Sequence, residues 1–161
     1  MDTAIQQVRE MIFTVFRSSN AGVGHAVNGK AVYIACAGKP ALIQALDPAV
    51  TELVSEGVLE PRAGTHFMTE KGLDVIYPES DAEASLWVQE DVLSFLRNAG
   101  ITAGKVMNQR AFQLTHYVRY NPKQKRVLED AVQALVNAGI LEARDGSGVF
   151  VTAKGQDHLY G

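Results

Sequence analysis

The chain has 161 residues, enough for one ordinary domain or two small ones. Hydrophobic residues make up 47% and charged residues 20%, which is typical of globular proteins and excludes a disordered chain. The formal net charge is −3, which taken alone argues against a polyanionic partner such as DNA.

Several kinds of chemistry are also excluded. The single cysteine, Cys36, rules out an internal disulfide and a cysteine-based zinc site, and its apolar surroundings predict a place in a core. The four histidines lie at no metal-ligand spacing, and no phosphate loop, nucleophile elbow or paired carboxylates stand out. We therefore expect no enzyme, no cofactor and no bound metal. With no secretory signal and no apolar stretch near the roughly 20 residues that span a bilayer, we expect a cytoplasmic protein without a membrane partner.

The chain contains an internal repeat. Its clearest part reads AVTELVSEGVLEPRAG over 49–64 and AVQALVNAGILEARDG over 131–146. The full alignment pairs 8–34 with 88–114, 40–64 with 122–146, and 66–77 with 149–160. A period of this size indicates two copies of one structural unit. We predict two domains, 1–77 and 85–161, joined by an acidic linker over 78–84.

The first copy is predicted to contain three helices, a hairpin and a closing helix. Helical spacing and capping residues place the first two helices at 5–17 and 29–37, and the third helix before Gly57. The hairpin strands are expected at 58–60 and 67–69, and the closing helix at 70–77. Pro48 falls within the third helix, so either that helix begins at an Asp47 cap or it is kinked.

The second copy is predicted to repeat this order. Its third helix has the strongest signals, with Asn121 as the cap, Pro122 at the first position and Gly139 at the end. The other elements are expected at 86–97, from 109 onward, at strands 140–143 and 149–152, and at 153–160.

Helix, helix, helix, hairpin is the order of a winged helix-turn-helix domain. The run L-V-x-x-G-[VI]-L-E, a glycine loop and F-x-T-x-K-G occur in both copies, from Leu53 to Gly72 and from Leu135 to Gly155. This pattern resembles the recognition helix and wing of MarR-type bacterial regulators. The resemblance implies a mainly α fold with small β-hairpins (α+β), built as tandem duplicated winged helices. It implies DNA binding less firmly, because winged helices also serve as protein-binding modules.

The distribution of charge favours a phosphate partner despite the net charge. Residues 97–126 contain no Asp or Glu but hold Arg97, Lys105, Arg110, Arg119, Lys123, Lys125 and Arg126. Such a one-sided segment is the electrostatic footprint of nucleic-acid binding, and it falls where winged helices meet DNA. The alternative is a solvated basic face with no partner.

We predict a DNA-binding site around the start of the third helix of the second copy. Arginine and lysine suit phosphates and guanine edges, and glutamine suits adenine. The predicted contacts are Arg110, Arg119, Tyr120, Lys123, Gln124, Lys125 and Arg126, with Arg62 and Arg144 at the same wing position of the two copies. Tyr117 and Tyr120 could instead anchor the core, and the wing arginines could pair with Glu60 and Glu142.

The two copies differ at the start of their third helices. Lys123-Gln124-Lys125-Arg126 aligns with Ala41-Leu42-Ile43-Gln44, which cannot attract phosphate. We expect Leu42 and Ile43 to form a homodimer interface that presents two second copies to two DNA half-sites. The alternative is that Pro48 redirects the chain and both residues enter the local core.

The sequence thus favours a DNA-binding protein, a transcriptional regulator that contacts duplex DNA mainly through its second copy. The alternative function is a winged-helix scaffold that binds other proteins, such as a chromosome-organising subunit, without reading DNA.

Overall fold

The computed structural model describes residues 2–161 and consists of two compact units, unit 1 over 2–78 and unit 2 over Glu79–Gly161. Both are mainly helical with one small antiparallel hairpin each, which confirms the α+β class. Unit 1 contains α1 (Thr3–Ser18), α2 (Gly29–Cys36), α3 (Pro40–Gln44), α4 (Leu46–Ser55), β1 (Leu59–Arg62), β2 (Thr65–Met68) and α5 (Glu70–Ile76). Unit 2 contains α6 (Asp81–Asn98), α7 (Gln109–Thr115), a 3-10 turn (Tyr117–Arg119), α8 (Pro122–Asn137), β3 (Leu141–Arg144), β4 (Gly148–Val151) and α9 (Ala153–Tyr160).

The first helix of each unit runs through the centre of its core. In α1, Val8, Ile12 and Phe16 recur every fourth residue and are almost fully buried. Because residues four apart lie on one helix face, this spacing gives the helix a continuous apolar stripe. The equivalent stripe of α6 also recurs every fourth residue, and it contains Val88, Val92 and Leu96.

In each unit the second hairpin strand is paired on both sides. Leu59 lies opposite Met68 in the β1–β2 register, and Leu141 lies opposite Val151 in β3–β4. A short extended segment before α2 and before α7 then pairs with the far side of the second strand, through the bridges Ala26–Phe67 and Val106–Phe150. The first strands, β1 and β3, are therefore the outer strands.

An arginine near the end of the first helix joins the last helix in the same way in both units. Arg17 Nε donates to the Ile76 carbonyl at 2.8 Å, and Arg97 Nε donates to the Leu159 carbonyl at 3.0 Å. A cation suits these positions because the carbonyls at a helix C-terminus lack helical partners. Arg97, one of the cations of the acid-free segment, thus stabilises the fold.

The linker predicted over 78–84 is wrong in its second half. Ser80 caps α6 by accepting from the Glu83 N–H at 3.1 Å, so the helix begins at Asp81 and not at residue 86. Ala84 is buried in the unit 2 core. The acidic residues that suggested a linker suit the positive end of a helix dipole, which explains the earlier start.

The interface predicted at Leu42 and Ile43 is also wrong. Both belong to the unit 1 core, where Leu42 is buried and Ile43 packs against the cluster. The third helix of this copy is split into α3 and α4 around Ala45, with Pro48 in the first turn of α4. Pro48 has no N–H to donate to the Gln44 carbonyl, so one continuous helix is disfavoured there. Leu42 and Ile43 of α3 thus pack into the local core, as the alternative interpretation expected.

Candidate nucleic-acid interface

The acid-free segment of unit 2 forms the end of α6, the extended segment that pairs with β4, α7, the 3-10 turn and the first turn of α8. Its side chains do not share one environment. Some belong to the fold and others face solvent, and this division decides which of the predicted contacts can meet a ligand.

Lys123 is a structural residue. It is only 3% exposed, and its Nζ donates to the Glu79 backbone carbonyl at 2.6 Å. A buried ammonium group needs such a partner because leaving water is costly for a charge. The prediction of Lys123 as an exposed DNA contact is therefore wrong.

Tyr120 is also buried, at 1% exposure. Its hydroxyl donates to Asp91 Oδ2 at 2.6 Å, and its ring forms a T-shaped pair with Trp87 at a centroid distance of 5.5 Å. Burial, together with the Asp91 carboxylate, raises the pKa of Tyr120 above its usual value. The same carboxylate oxygen lies 2.9 Å from His116 Nδ1. Tyr120 thus anchors the turn to α6, as the alternative interpretation expected, and is not a surface contact.

Gln124 completes a capping box at the start of α8. Asn121 Oδ1 accepts from the Gln124 N–H at 2.9 Å, and Gln124 Oε1 accepts from the Asn121 N–H at 3.0 Å. These two bonds satisfy donors that every helix N-terminus leaves open. The Gln124 amide oxygen is thereby occupied by the backbone, so the predicted reading of adenine by Gln124 is not favoured.

Arg126 is exposed but paired. Its Nη2 lies 2.7 Å from Oδ1 of Asp81, the first residue of α6. The neighbouring acid lowers the attraction of this arginine for phosphate, because part of its charge is already compensated.

Three further predicted cations of the acid-free segment are exposed. Arg110 lies in the first turn of α7, Arg119 in the 3-10 turn and Lys125 in the first turn of α8, and all three are exposed. Among residues 2–161, no carboxylate forms an ion pair with Arg110 or Lys125. Lys125 Nζ also lies 5.4 Å from the ring centroid of the half-buried Tyr117.

Arg62 and Arg144 occupy equivalent places in the two hairpins. The guanidinium of Arg62 lies 4.2 Å from the ring centroid of Phe67, and that of Arg144 lies 4.0 Å from Phe150. The hairpin carboxylates Glu60 and Glu142 lie 3.9 Å and 3.3 Å from these same guanidinium groups. Both arginines remain exposed, so each is accessible to a ligand while it is held against the hairpin.

A trough that was not predicted from the sequence lies beside this surface. The trough is a hollow of ≈ 570 Å³, and it shares Met107, Gln109, Ala143 and Val149 with a second hollow of ≈ 670 Å³. Its floor includes Ala143 and Val149, and α8 provides one wall with Leu128, Val132 and Val136. The apolar stripe of α8 covers roughly 180° of the helix, which is wider than packing against the core requires. This width was the feature of the sequence from which an apolar surface hollow could have been predicted.

Within residues 2–161, no cluster of three or more His, Cys, Asp or Glu side chains could hold a metal ion. In the same part of the chain, none of the helices combines the length and the apolar character needed to cross a membrane.

Comparison with family models, curated proteins and solved structures finds no match for this chain.

Proposed function

We propose that this chain is a DNA-binding protein built from two tandem winged helices, and that unit 2 contacts the duplex. The observation that carries the proposal is the group of three exposed cations Arg110, Arg119 and Lys125, which lie on a segment without carboxylates. The same order of elements in both units, with a three-segment sheet in each, supports the winged-helix architecture.

The side chains favour contacts to the phosphate backbone over reading of bases. The exposed face of α8 carries Glu129 and Asp130 one turn after Lys125, and these acids repel phosphate. Arg144 on the hairpin adds a cation that can enter a minor groove. We therefore propose binding of modest sequence specificity, in which three or four cations set the register on the duplex. Regulation of transcription remains part of the proposal.

The test is binding of a fluorescein-labelled 20-base-pair duplex, measured by fluorescence anisotropy. The double variant Arg110→Glu/Arg119→Glu removes two proposed phosphate contacts and adds repulsion, so we expect binding to weaken about tenfold or more. Both residues are exposed, so the variant is expected to stay folded.

The matched control is Lys30→Glu/Lys39→Glu in unit 1. It makes the same change of charge on the exposed surface of the other unit. Retained binding in the control and lost binding in the unit 2 variant support the proposal. Equal losses in both variants would mean that only net charge matters, and unchanged binding in the unit 2 variant would refute the site.

The second candidate is a winged-helix scaffold that binds protein, and the trough favours it. In the same unit, the large apolar side chains Leu114 and Val118 are 67% and 60% exposed, and a protein partner could bury them. A wild-type chain that shows no salt-sensitive binding to duplex would favour this candidate.

A further inference from the structure

The outer edge of β3 offers unpaired backbone groups. Met107 N donates to the Val149 carbonyl at 2.8 Å, so Val149 turns its backbone toward the segment before α7. Because backbone directions alternate along a strand, the Val149 partner in the ladder, Ala143, turns its N–H and C=O away from β4. Ala143 is exposed, so an incoming strand can reach these groups.

Unit 1 has the same geometry with one difference. Val27 N donates to the His66 carbonyl at 2.8 Å, and His66 lies opposite Pro61 in the β1–β2 register. Pro61 therefore occupies the outward position that Ala143 occupies in unit 2. Proline has no N–H, and on an edge strand it prevents pairing with a further strand. The edge of β1 therefore lacks the backbone donor that β3 has at Ala143.

The open edge adjoins the trough. Ala143 and its partner Val149 turn their side chains into the floor, facing Val132 and Val136 on α8. In an added strand every second side chain would point to this same face. The α8 wall extends from Lys125 to Val136, about 16 Å at 1.5 Å per residue, which is the reach of about five extended residues.

The charged residues of the trough determine where a bound segment can place a carboxylate. Lys125 lines one end of the trough and is exposed, whereas Glu129 lies one turn further along the same wall. Along the α8 wall, a carboxylate on the occupant is therefore favoured at the Lys125 end.

We propose that unit 2 binds an extended segment of a partner protein, which adds a strand to the edge of β3. The segment places alternate apolar side chains in the trough and a carboxylate against Lys125. This mode of recognition takes affinity from backbone hydrogen bonds and specificity from the side-chain pocket. It does not depend on DNA binding.

The test is selection of a displayed library of random linear heptapeptides on the full chain. We expect enriched peptides to carry alternating Val, Ile or Leu and an Asp or Glu near one end. The variant Ala143→Pro removes the edge N–H and obstructs the incoming strand, so we expect these peptides to bind it about tenfold more weakly or worse. The control Pro61→Ala should leave their affinity unchanged.

Ala143→Pro is expected to fold, because Pro61 occupies the same register position of the unit 1 hairpin; circular dichroism checks this. In the wild type, amide exchange of Ala143 should slow when a selected peptide is bound, which tests the proposal without any variant. Equal binding to Ala143→Pro, unprotected Ala143, or no enrichment would overturn it. A homodimer that Ala143→Pro dissociates would identify a second copy as the occupant and overturn it as well. Duplex binding should persist in Ala143→Pro, which separates this test from that of the proposed function.

Discussion

Lys123 shows how burial changes the meaning of a charged residue. Its ammonium group is held by the Glu79 carbonyl inside unit 2, while Arg126, three residues later, is exposed and paired with Asp81. Both look equally basic in the sequence. Only their environments separate a structural cation from a surface cation.

We predict that Lys123→Glu destabilises the chain by about 3 kcal/mol or more, because it leaves a carboxylate buried beside a carbonyl oxygen. Arg126→Glu should cost less than about 1 kcal/mol, since exposed ion pairs contribute little. Urea denaturation followed by circular dichroism measures both. A similar small cost for the two variants would mean that Lys123 is not buried in solution.

The sequence could not reveal the burial of Lys123. Its helical position places it next to the apolar stripe of α8, and the chain that covers it comes from Glu79, far away in sequence. Arg110, Arg119 and Lys125 were predicted as surface residues and are exposed. Short-range patterns thus identified the basic residues, but long-range contacts decided which of them are buried and which are exposed.

At the scale of elements, the shared T-x-K-G motif joins the last helix to the hairpin. Thr69 Oγ1 accepts from the Gly72 N–H at 2.9 Å and donates to the Val58 carbonyl at 3.1 Å. Thr152 and Gly155 repeat this arrangement in unit 2. The motif is therefore explained by the fold, and it is no sign of DNA binding.

We predict that Gly72→Ala destabilises the chain by about 2 kcal/mol, because the added methyl group would overpack the core. A Cβ at this position would come within 2.2 Å of the Val58 carbonyl oxygen. Gly29→Ala is the control, since a Cβ there meets no atom within 4 Å and alanine favours the helix. Thermal unfolding should show a lower Tm for Gly72→Ala and an unchanged or higher Tm for Gly29→Ala. An equal Tm for both would contradict the close approach.

The elements themselves were largely predictable. Helical spacing, caps and glycine loops identified the hairpins and the last helices within one or two residues. Errors arose where one signal had two meanings. The acidic residues Asp81 and Glu83 indicated a linker but belong to the first turn of α6. The third helix of the first copy is interrupted at Ala45, three residues before Pro48.

At the scale of the molecule, each unit has its own core, so each should fold alone. We predict that the fragment 79–161 is stable and that 85–161 is less stable by about 3 kcal/mol or more. The shorter fragment lacks Glu79, whose Oε1 accepts from Asn121 Nδ2 at 2.6 Å and whose carbonyl binds Lys123. Urea denaturation of both fragments checks the boundary. Equal stability would support the linker that the sequence suggested.

The central claim is that the exposed cations of unit 2 bind the phosphates of duplex DNA. It is tested most directly by the affinity of the wild-type chain for one duplex at 50 and 200 mM salt. Three or four phosphate contacts, at nearly one unit of log–log slope each, predict that affinity falls roughly 40- to 150-fold over this interval. An affinity that does not change with salt, or no binding at 50 mM, would contradict the claim.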